Sequence, residues 1–198
     1  MKRAMARKAQ IERKTKETVI SLSLDLDGTG NSDISTGIPF FDHMLSLLAM
    51  HGLFNLSLQA TGDLEVDFHH TVEDVGIAFG QGIKKALGGG AGIRRFGEAL
   101  VPMDEALSRV VLDISGRPYL GYRVKARGKV KDFNLELVES FFKAVADHAG
   151  MTLHIDLLCG TNRHHIVEAI FKGFGRALDT ATSVDQRRSG VPSTKGSI

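Results

Sequence analysis

The chain has 198 residues, of which 42% are hydrophobic and 24% charged, with a formal net charge of +2. These values suit one medium-sized domain or two small ones and give no indication of nucleic-acid binding. No apolar run reaches the ~20 residues of a membrane span, the basic N-terminus lacks the apolar core of a signal peptide, and one cysteine, Cys159, permits no intrachain disulfide. We therefore expect a cytoplasmic protein that binds neither nucleic acid nor membrane.

The first half of the chain begins with a basic segment, because residues 1–16 hold seven Lys and Arg residues. No aromatic residues interleave with these charges, so we interpret the segment as a solvated, partly disordered arm. Apolar spacing then predicts, in order, a strand at 18–26, a helix at 40–50, strands at 54–61 and 64–66, and a helix at 69–87. The glycines at 88–92 lack the Lys and Ser/Thr of a phosphate loop and indicate a flexible connector.

The second half repeats the pattern of the first. Apolar spacing predicts, in order, strands at 110–114 and 119–124, a helix at 135–148, a strand at 151–158 and a helix from 164 through 178. Two such halves indicate an internal duplication of ~90–100 residues. We predict an α+β fold in which each half is a sheet with helices on one face and the halves pack as a pseudo-dimer.

The strongest functional signal is a motif that occurs twice. His69-His70, followed by Glu73, recurs 95 residues later as His164-His165, followed by Glu168. On a helix, residues four apart share a face, so His69 and Glu73 point the same way. His70 lies about 100° further round, so each doublet can serve two different sites. Imidazole with carboxylate suits Mn²⁺, Fe²⁺ or Zn²⁺, and the pattern does not choose among them.

Other candidates are weaker when taken alone. Glu17 stands just before the first predicted strand, where a lone glutamate is usually solvated. His43 lies in the first turns of the predicted helix at 40–50. His51 precedes Gly52 near its end, where capping or packing is the ordinary role.

Five sequence blocks together resemble the imidazoleglycerol-phosphate dehydratases of histidine biosynthesis. They are Phe41–Leu45, Asp67–Asp74, Ser115–Pro118, the second doublet with Glu168-Ala169, and Pro192–Gly196. The resemblance covers residues 8–197. It implies a duplicated fold related to domain 2 of ribosomal protein S5, with a basic arm at 1–8, repeats at 9–95 and 96–187, and a substrate-binding tail at 188–198. It also implies a hydro-lyase that converts imidazole glycerol phosphate to imidazole acetol phosphate.

The resemblance extends to assembly and to site residues. It implies a 24-mer whose active sites form between subunits and hold two Mn²⁺ ions each. The implied metal ligands are His43, His69, His70, Glu73, His164, His165 and Glu168. The implied catalytic residues are Glu17, which does acid–base work, with His43, His70, Glu73 and His165. The implied phosphate-binding residues are Arg95, Arg117, Lys172, Ser193 and Lys195, whose charges and hydroxyl group suit a phosphate dianion.

One position departs from the family pattern. Ser140 stands before Phe141-Phe142, where members of the family often have a histidine that is the counterpart of His43. Because a serine hydroxyl is a poor Mn²⁺ ligand, we expect two metal sites of unequal affinity. Glu139, His148 and His154 are other candidates for the missing ligand.

The expected mechanism uses the substrate's own imidazole ring. Metal ions at the ring nitrogens would favour the imidazolate form, which can expel the neighbouring hydroxyl group. Competing interpretations are a metal-storage shell, which leaves the phosphate-binding residues unexplained, and a two-metal phosphate hydrolase, whose sites usually depend on bridging carboxylates. An RNA-binding module is the weakest alternative, because a fold does not determine a function.

Overall fold

The structure is a computed structural model that describes residues 7–196. The first half contains β1 (Lys8–Lys14), β2 (Thr18–Asp25), β3 (Ser32–Ser35), α1 (Pro39–Gly52), β4 (Asn55–Gly62) and α2 (His69–Leu87). The second half contains β5 (Phe96–Met103), β6 (Ala106–Asp113), β7 (Tyr119–Arg123), β8 (Lys129–Val130), β9 (Phe133–Asn134), α3 (Glu136–Ala149), β10 (Thr152–Cys159) and α4 (Arg163–Thr182). No helix within residues 7–196 is long and apolar enough to cross a membrane.

Each half forms its own four-stranded sheet, and the two sheets have the same topology. The strand orders are β1-β2-β4-β3 and β5-β6-β10-β7. In each sheet the last pair, β3 with β4 or β7 with β10, is parallel, and the other pairs are antiparallel. The pairing of Lys8 with Asp25 in the first hairpin corresponds to that of Phe96 with Asp113 in the second, an offset of 88 residues. The predicted duplicated α+β fold is therefore confirmed.

The helices join the two halves into one structure. α2 lies on β1 and β2, and α4 lies on β5 and β6. Across the halves, α2 packs on α3 and α1 packs on α4. Phe141 of α3 lies where the helices meet, with its ring centroid 5.3 Å from that of Phe41, 5.5 Å from that of Phe171 and 6.5 Å from that of Phe79. The repeats therefore share one hydrophobic core.

Glycines allow the paired helices to approach closely. A Cβ atom added at Gly76 would lie 2.7 Å from the carbonyl oxygen of Phe141, and one added at Gly80 would lie 2.8 Å from that of Val145. In the other pair, a Cβ at Gly175 would lie 2.5 Å from the carbonyl oxygen of Leu48. The contacts between α2 and α3 and between α1 and α4 are thus made directly by backbone.

Two predictions about the first half are wrong. Much of the expected basic arm is β1, in which Ala9 is buried, Ile11 and Arg13 are half-buried, and the residues between them face solvent. Net charge concealed this short alternation; residues 1–6 lie outside the described part of the chain. Residues 64–66 form a turn rather than a strand, closed by a hydrogen bond from the Val66 N–H to the Asp63 carbonyl (2.9 Å).

Strands β3, β5, β8 and β9 were not predicted. β5 contains Gly97 and Pro102, which normally argue against a strand. Gly97 is needed because a Cβ there would overlap the carbonyl of Ala177 in α4. Pro102 is tolerated because β5 is an edge strand of its sheet.

The close crossing of α2 on α3 predicts a specific intolerance. Replacing Gly80 with alanine should push the helices apart and lower the free energy of unfolding by about 1–3 kcal/mol, as overpacked cores do. Gly89→Ala is the control, because a Cβ there meets no atom within 4 Å. Urea denaturation of both variants is the measurement. Equal stability of the two variants would contradict this account of the crossing.

Candidate active site

Three potential ligands converge where α1 and α4 meet. His43 lies in the second turn of α1, and His164 and Glu168 lie one turn apart at the start of α4. The Nε2 atoms of His43 and His164 lie 3.2 and 2.9 Å from the same Glu168 oxygen, Oε1. One ligand atom from each residue lies within 4.8 Å of the other two. Because α1 of the first half packs on α4 of the second half, a histidine of the first half lies beside the motif of the second half.

Local sequence signals fix the starts of both helices. Pro39 is the first residue of α1, where its fixed φ angle favours a helix start. The Asn162 side chain caps α4 by accepting the His164 N–H at 2.9 Å. These starts place His43 and His164 at neighbouring helix ends.

Glu168 is a buried carboxylate that stays ionised. Burial alone would raise its pKa, but hydrogen bonds from Lys172, His164 and His43 outweigh burial and hold the pKa of Glu168 at about 2. The Lys172 Nζ atom lies 2.6 Å from Oε2, on the opposite side from the two imidazoles. A buried carboxylate and two imidazoles are a donor set that suits a divalent transition metal.

The pseudo-equivalent position in the first half is less complete. His69 Nε2 lies 3.7 Å from Glu73 Oε2, and Ser140 occupies on α3 the place that His43 has on α1. Ser140 and His69 line the same cavity, of about 410 Å³, but the Ser140 hydroxyl donates back to the Glu136 carbonyl at 3.4 Å. Within residues 7–196, no third histidine, cysteine or carboxylate joins His69 and Glu73.

Two of the other candidates for the missing ligand, His148 and His154, lie elsewhere. His148 is in the last turn of α3, with Nδ1 2.9 Å from the Ala144 carbonyl. His154 lies on β10 beside Arg123 and Tyr119. His51, interpreted as a packing residue, is half-buried at the end of α1, and burial lowers its pKa.

The second histidine of each doublet faces a carboxylate of its own. His70 Nδ1 lies 3.0 Å from Asp63 Oδ2 and 3.9 Å from Glu17 Oε2. His165 Nδ1 lies 2.7 Å from Glu105 Oε2. These hydrogen bonds raise the pKa of both imidazoles, that of His70 chiefly through Asp63 and that of His165 chiefly through Glu105.

Glu105 and Asp63 were missed by the sequence analysis. The hydrogen bond with His165 and the N–H groups of Asn162 and Thr161 lower the pKa of Glu105 to about 2. Glu105 is the equivalent of Glu17 in the second repeat, because the two hairpins are related by an offset of 88 residues. Asp63 carried no such signal in the sequence, because the corresponding residue of the second half is Thr161.

The predicted phosphate-binding residues are spread over the chain. Arg95 pairs with Asp113 through two hydrogen bonds (2.6 and 3.1 Å) and donates to the carbonyl of Pro192 in the tail. Arg117 is exposed in the turn between β6 and β7, and Lys172 binds Glu168. Ser193 and Lys195 lie in the tail, where the Ser193 hydroxyl accepts the Lys195 N–H at 3.2 Å.

The length of α4 separates the His43–His164–Glu168 cluster from Arg95. His164 lies in its first turn, whereas the Arg95 N–H bonds to the carbonyl of Ala181 near its last residue. Seventeen residues at ~1.5 Å per residue place these points roughly 25 Å apart. One chain therefore does not bring Arg95, or the tail residue Pro192 that it contacts, to its own His43–His164–Glu168 cluster.

The fold and site define an internally duplicated α+β protein with a paired imidazole–carboxylate centre. The chain belongs to the imidazoleglycerol-phosphate dehydratase family, whose model matches residues 36–178. The imidazoleglycerol-phosphate dehydratases of Geobacter sulfurreducens and Acetivibrio thermocellus are 58% and 59% identical to it over 195 residues, covering 98% of this chain and 100% of each relative.

Solved structures agree with this assignment. The imidazoleglycerol-phosphate dehydratase of Staphylococcus aureus subsp. aureus N315 is 42% identical, with a TM-score of 0.82, covering 90% of this chain and 99% of that one. The enzyme of Pyrococcus furiosus, solved in complex with (S)-C348, is 38% identical, with a TM-score of 0.83, covering 95% and 100%. The chain is thus a dehydratase of histidine biosynthesis, acting on imidazole glycerol phosphate.

The ionised state of Glu168 predicts a pH effect on stability. Its pKa of about 2 in the fold lies below the ordinary 4.5, so its ionised form stabilises the fold above pH 4.5, and this is lost as the pH falls through about 2. At about 1.4 kcal/mol per unit, the contribution is about 3 kcal/mol. Urea denaturation of the metal-free protein should show the difference between wild type and Glu168→Gln shrinking over that range. Parallel pH profiles would contradict this role.

Proposed function

We propose that dehydration by this protein depends on Mn²⁺ held by the imidazole and carboxylate groups of the two repeats. The observation that carries the proposal is the convergence of His43 and His164 on Glu168, a carboxylate that is both buried and ionised. The proposed ligands are His43, His69, His70, Glu73, His164, His165 and Glu168. Mn²⁺ suits this mixed set of imidazole and carboxylate ligands.

The bound metal would supply Lewis-acid polarisation of the substrate's imidazole ring and a template for its orientation. The chain's own residues hold that arrangement in place. The salt bridge from Lys172 keeps Glu168 ionised, and the helix cap at Asn162 fixes the direction of His164. Hydrogen bonds at Nδ1 hold the rings of His70 and His165, and Nε2 of His165 lies 3.4 Å from the side-chain amide nitrogen of Asn162.

Glu17 is the proposed acid–base residue. Its side chain is 54% exposed, and Oε2 lies 3.9 Å from His70 Nδ1, beyond hydrogen-bond distance. A carboxylate near a ligand imidazole and open to solvent can take a proton from a carbon of a bound substrate and return one. Loss of water from the glycerol chain gives an enol, which becomes the ketone of imidazole acetol phosphate.

The substrate phosphate would bind to residues supplied by more than one chain. Arg95, Arg117, Ser193 and Lys195 carry the groups that suit a phosphate dianion. The span of roughly 25 Å along α4 supports a site in which the tail of one subunit reaches the metal cluster of another. We propose that such shared sites are formed within a 24-mer, in the cytoplasm.

Ser140 makes the two metal positions unequal in this proposal. Its hydroxyl bonds to the helix backbone, whereas His43 points at the carboxylate of its cluster. The position containing His69 and Glu73 would therefore hold Mn²⁺ with one imidazole fewer. Water is the simplest replacement for that ligand.

Replacing Glu17 with glutamine should separate binding from turnover. Glutamine keeps the shape of the side chain but carries no transferable acidic proton, so kcat should fall by about 10²–10⁴-fold. Binding of the substrate, measured by calorimetry, should remain within a few-fold of wild type. Glu12→Gln, at an exposed position on β1, is the matched control and should keep full turnover. Near-normal turnover of Glu17→Gln would reassign the acid–base role.

Shared sites predict complementation between two inactive variants. His164→Ala removes a metal ligand, and Lys195→Ala removes a phosphate contact, so each variant assembled alone should have little activity. Chains of the two variants that are dissociated, mixed and reassembled should regain activity, because some sites then combine intact parts from different chains. Each variant put through the same treatment alone is the control. No recovery in mixed assemblies of the native size would contradict sharing between subunits.

A further inference from the structure

The two repeats hold equivalent glutamates that make different contacts. The 88-residue offset between the hairpins places Glu105 where the first half has Glu17. Glu105 Oε2 lies 2.7 Å from His165 Nδ1, and Oε1 accepts the N–H groups of Thr161 and Asn162 at 3.1 and 2.7 Å. Glu17 makes no such hydrogen bond with His70. Glu105 is hydrogen-bonded to its imidazole, whereas Glu17 Oε2 stays 3.9 Å from His70 Nδ1.

Asp63 accounts for the difference. It follows the last residue of β4, and its Oδ2 lies 3.0 Å from His70 Nδ1. Asp63 thus forms the hydrogen bond with the ring nitrogen that Glu17 would otherwise form. An ionised carboxylate can only accept, so this contact places the proton on Nδ1 and leaves Nε2 available as a ligand.

The second half has no equivalent aspartate. A bulge in β10 between Leu157 and Cys159 raises the offset between β4 and β10 from 97 to 98 residues, so Gly160 is the counterpart of Gly62, and the counterpart of Asp63 is Thr161. Thr161 has no carboxylate, and its N–H donates to Glu105 Oε1 at 3.1 Å. His165 therefore forms its hydrogen bond with Glu105 instead.

The backbone around Glu17 is held without using its carboxylate. The Thr18 hydroxyl donates to Asp74 at 2.5 Å, Arg13 donates to the other oxygen of Asp74 at 2.7 Å, and Thr15 Oγ1 accepts the Glu17 N–H at 3.1 Å. The counterparts of Arg13, Thr18 and Asp74 are the apolar residues Val101, Ala106 and Ala169. The polar network therefore fixes the turn of the first half and leaves the Glu17 side chain without a structural role.

The carboxylate of Asp63 is only partly satisfied by hydrogen bonds. Its Oδ1 atom is buried and has no hydrogen-bond partner among residues 7–196. An unsatisfied buried acceptor is a cost to the folded state. The contact that its carboxylate does make is the one with His70.

We propose that Asp63 is a positioning residue for the dehydration: it orients His70 and thereby keeps the carboxylate of Glu17 free for the reacting carbons. This inference rests on the proposed roles of His70 as a metal ligand and Glu17 as the acid–base residue. It assigns the catalytic difference between two equivalent glutamates to an aspartate that only one repeat contains.

A double-mutant cycle tests the proposal, with Mn²⁺ dissociation constants from calorimetry on metal-stripped protein, and with kcat and KM measured after Mn²⁺ has been restored. In Asp63→Ala, Glu17 should move onto His70, as Glu105 does on His165. Mn²⁺ affinity should then change less than ~3-fold, whereas kcat falls at least ~10-fold. Asp63→Ala with Glu17→Gln leaves His70 without a carboxylate, and Mn²⁺ affinity should fall about 10–100-fold. Asp63→Asn keeps an acceptor oxygen and should restore most of kcat.

The controls distinguish a failure of this inference from a failure of the proposed function on which it rests. Asp33→Ala changes an exposed carboxylate on β3, at the edge of the same sheet, and should leave both readouts unchanged. Turnover by Glu17→Gln alone would show that the acid–base assignment has failed. With that assignment intact, wild-type kcat in Asp63→Ala would overturn the inference. So would a loss of Mn²⁺ affinity in Asp63→Ala as large as that of the double variant.

Discussion

The site depends on the packing of each half's helices on those of the other half. Because α1 packs on α4, His43 of the first repeat reaches Glu168 of the second. Because α2 packs on α3, Ser140 of the second repeat lies beside His69 of the first. Phe141 and its aromatic neighbours fill the centre of this arrangement, and glycines on α2 and α4 bring the helix backbones together. A change in either helix crossing would move a ligand of one half away from the motif of the other.

The duplicated fold supplies two similar frameworks that have diverged at a few positions. Ser140 on α3 stands at the position that His43 has on α1, so one cluster has one imidazole fewer than the other. The counterpart of Asp63 is Thr161, which has no carboxylate, so the imidazoles of the two doublets form hydrogen bonds with different carboxylates. The duplication provides paired imidazole–carboxylate positions, whereas departures from it determine which glutamate forms a hydrogen bond with its imidazole. These departures can be identified because the strand registers relate the two halves, with an offset that the bulge in β10 changes by one residue.

Much of this organisation could be predicted from the sequence. The repeated doublet and the spacing of Glu73 and Glu168 located two of the four helices and the candidate ligands, because helical periodicity is a local property. β5 was not predicted, since Gly97 and Pro102 resemble strand breakers until the carbonyl of Ala177 and the edge position are known. β1 was obscured by its charges. The pairing of Asp63 with His70 links residues across a turn that periodicity predicted as a strand, so only the three-dimensional structure reveals it.

The same limit applies to the phosphate-binding residues. The sequence identifies Arg95 and Lys195 as suitable in chemistry, but it does not show that Arg95 lies at the far end of α4 from His164. Because of that separation, residues of one chain alone do not form the complete site, and this favours sites between chains. The local chemistry was predictable, and the long-range geometry was not.

The most direct test of the account is a titration of metal-stripped protein with Mn²⁺, following metal binding and the dehydration of imidazole glycerol phosphate in the same samples. The account predicts no turnover without metal, two classes of Mn²⁺ site of unequal affinity, and turnover that appears as the weaker class fills. Full turnover by protein that binds no metal would contradict it. So would two sites of equal affinity, since Ser140 then would not distinguish the repeats.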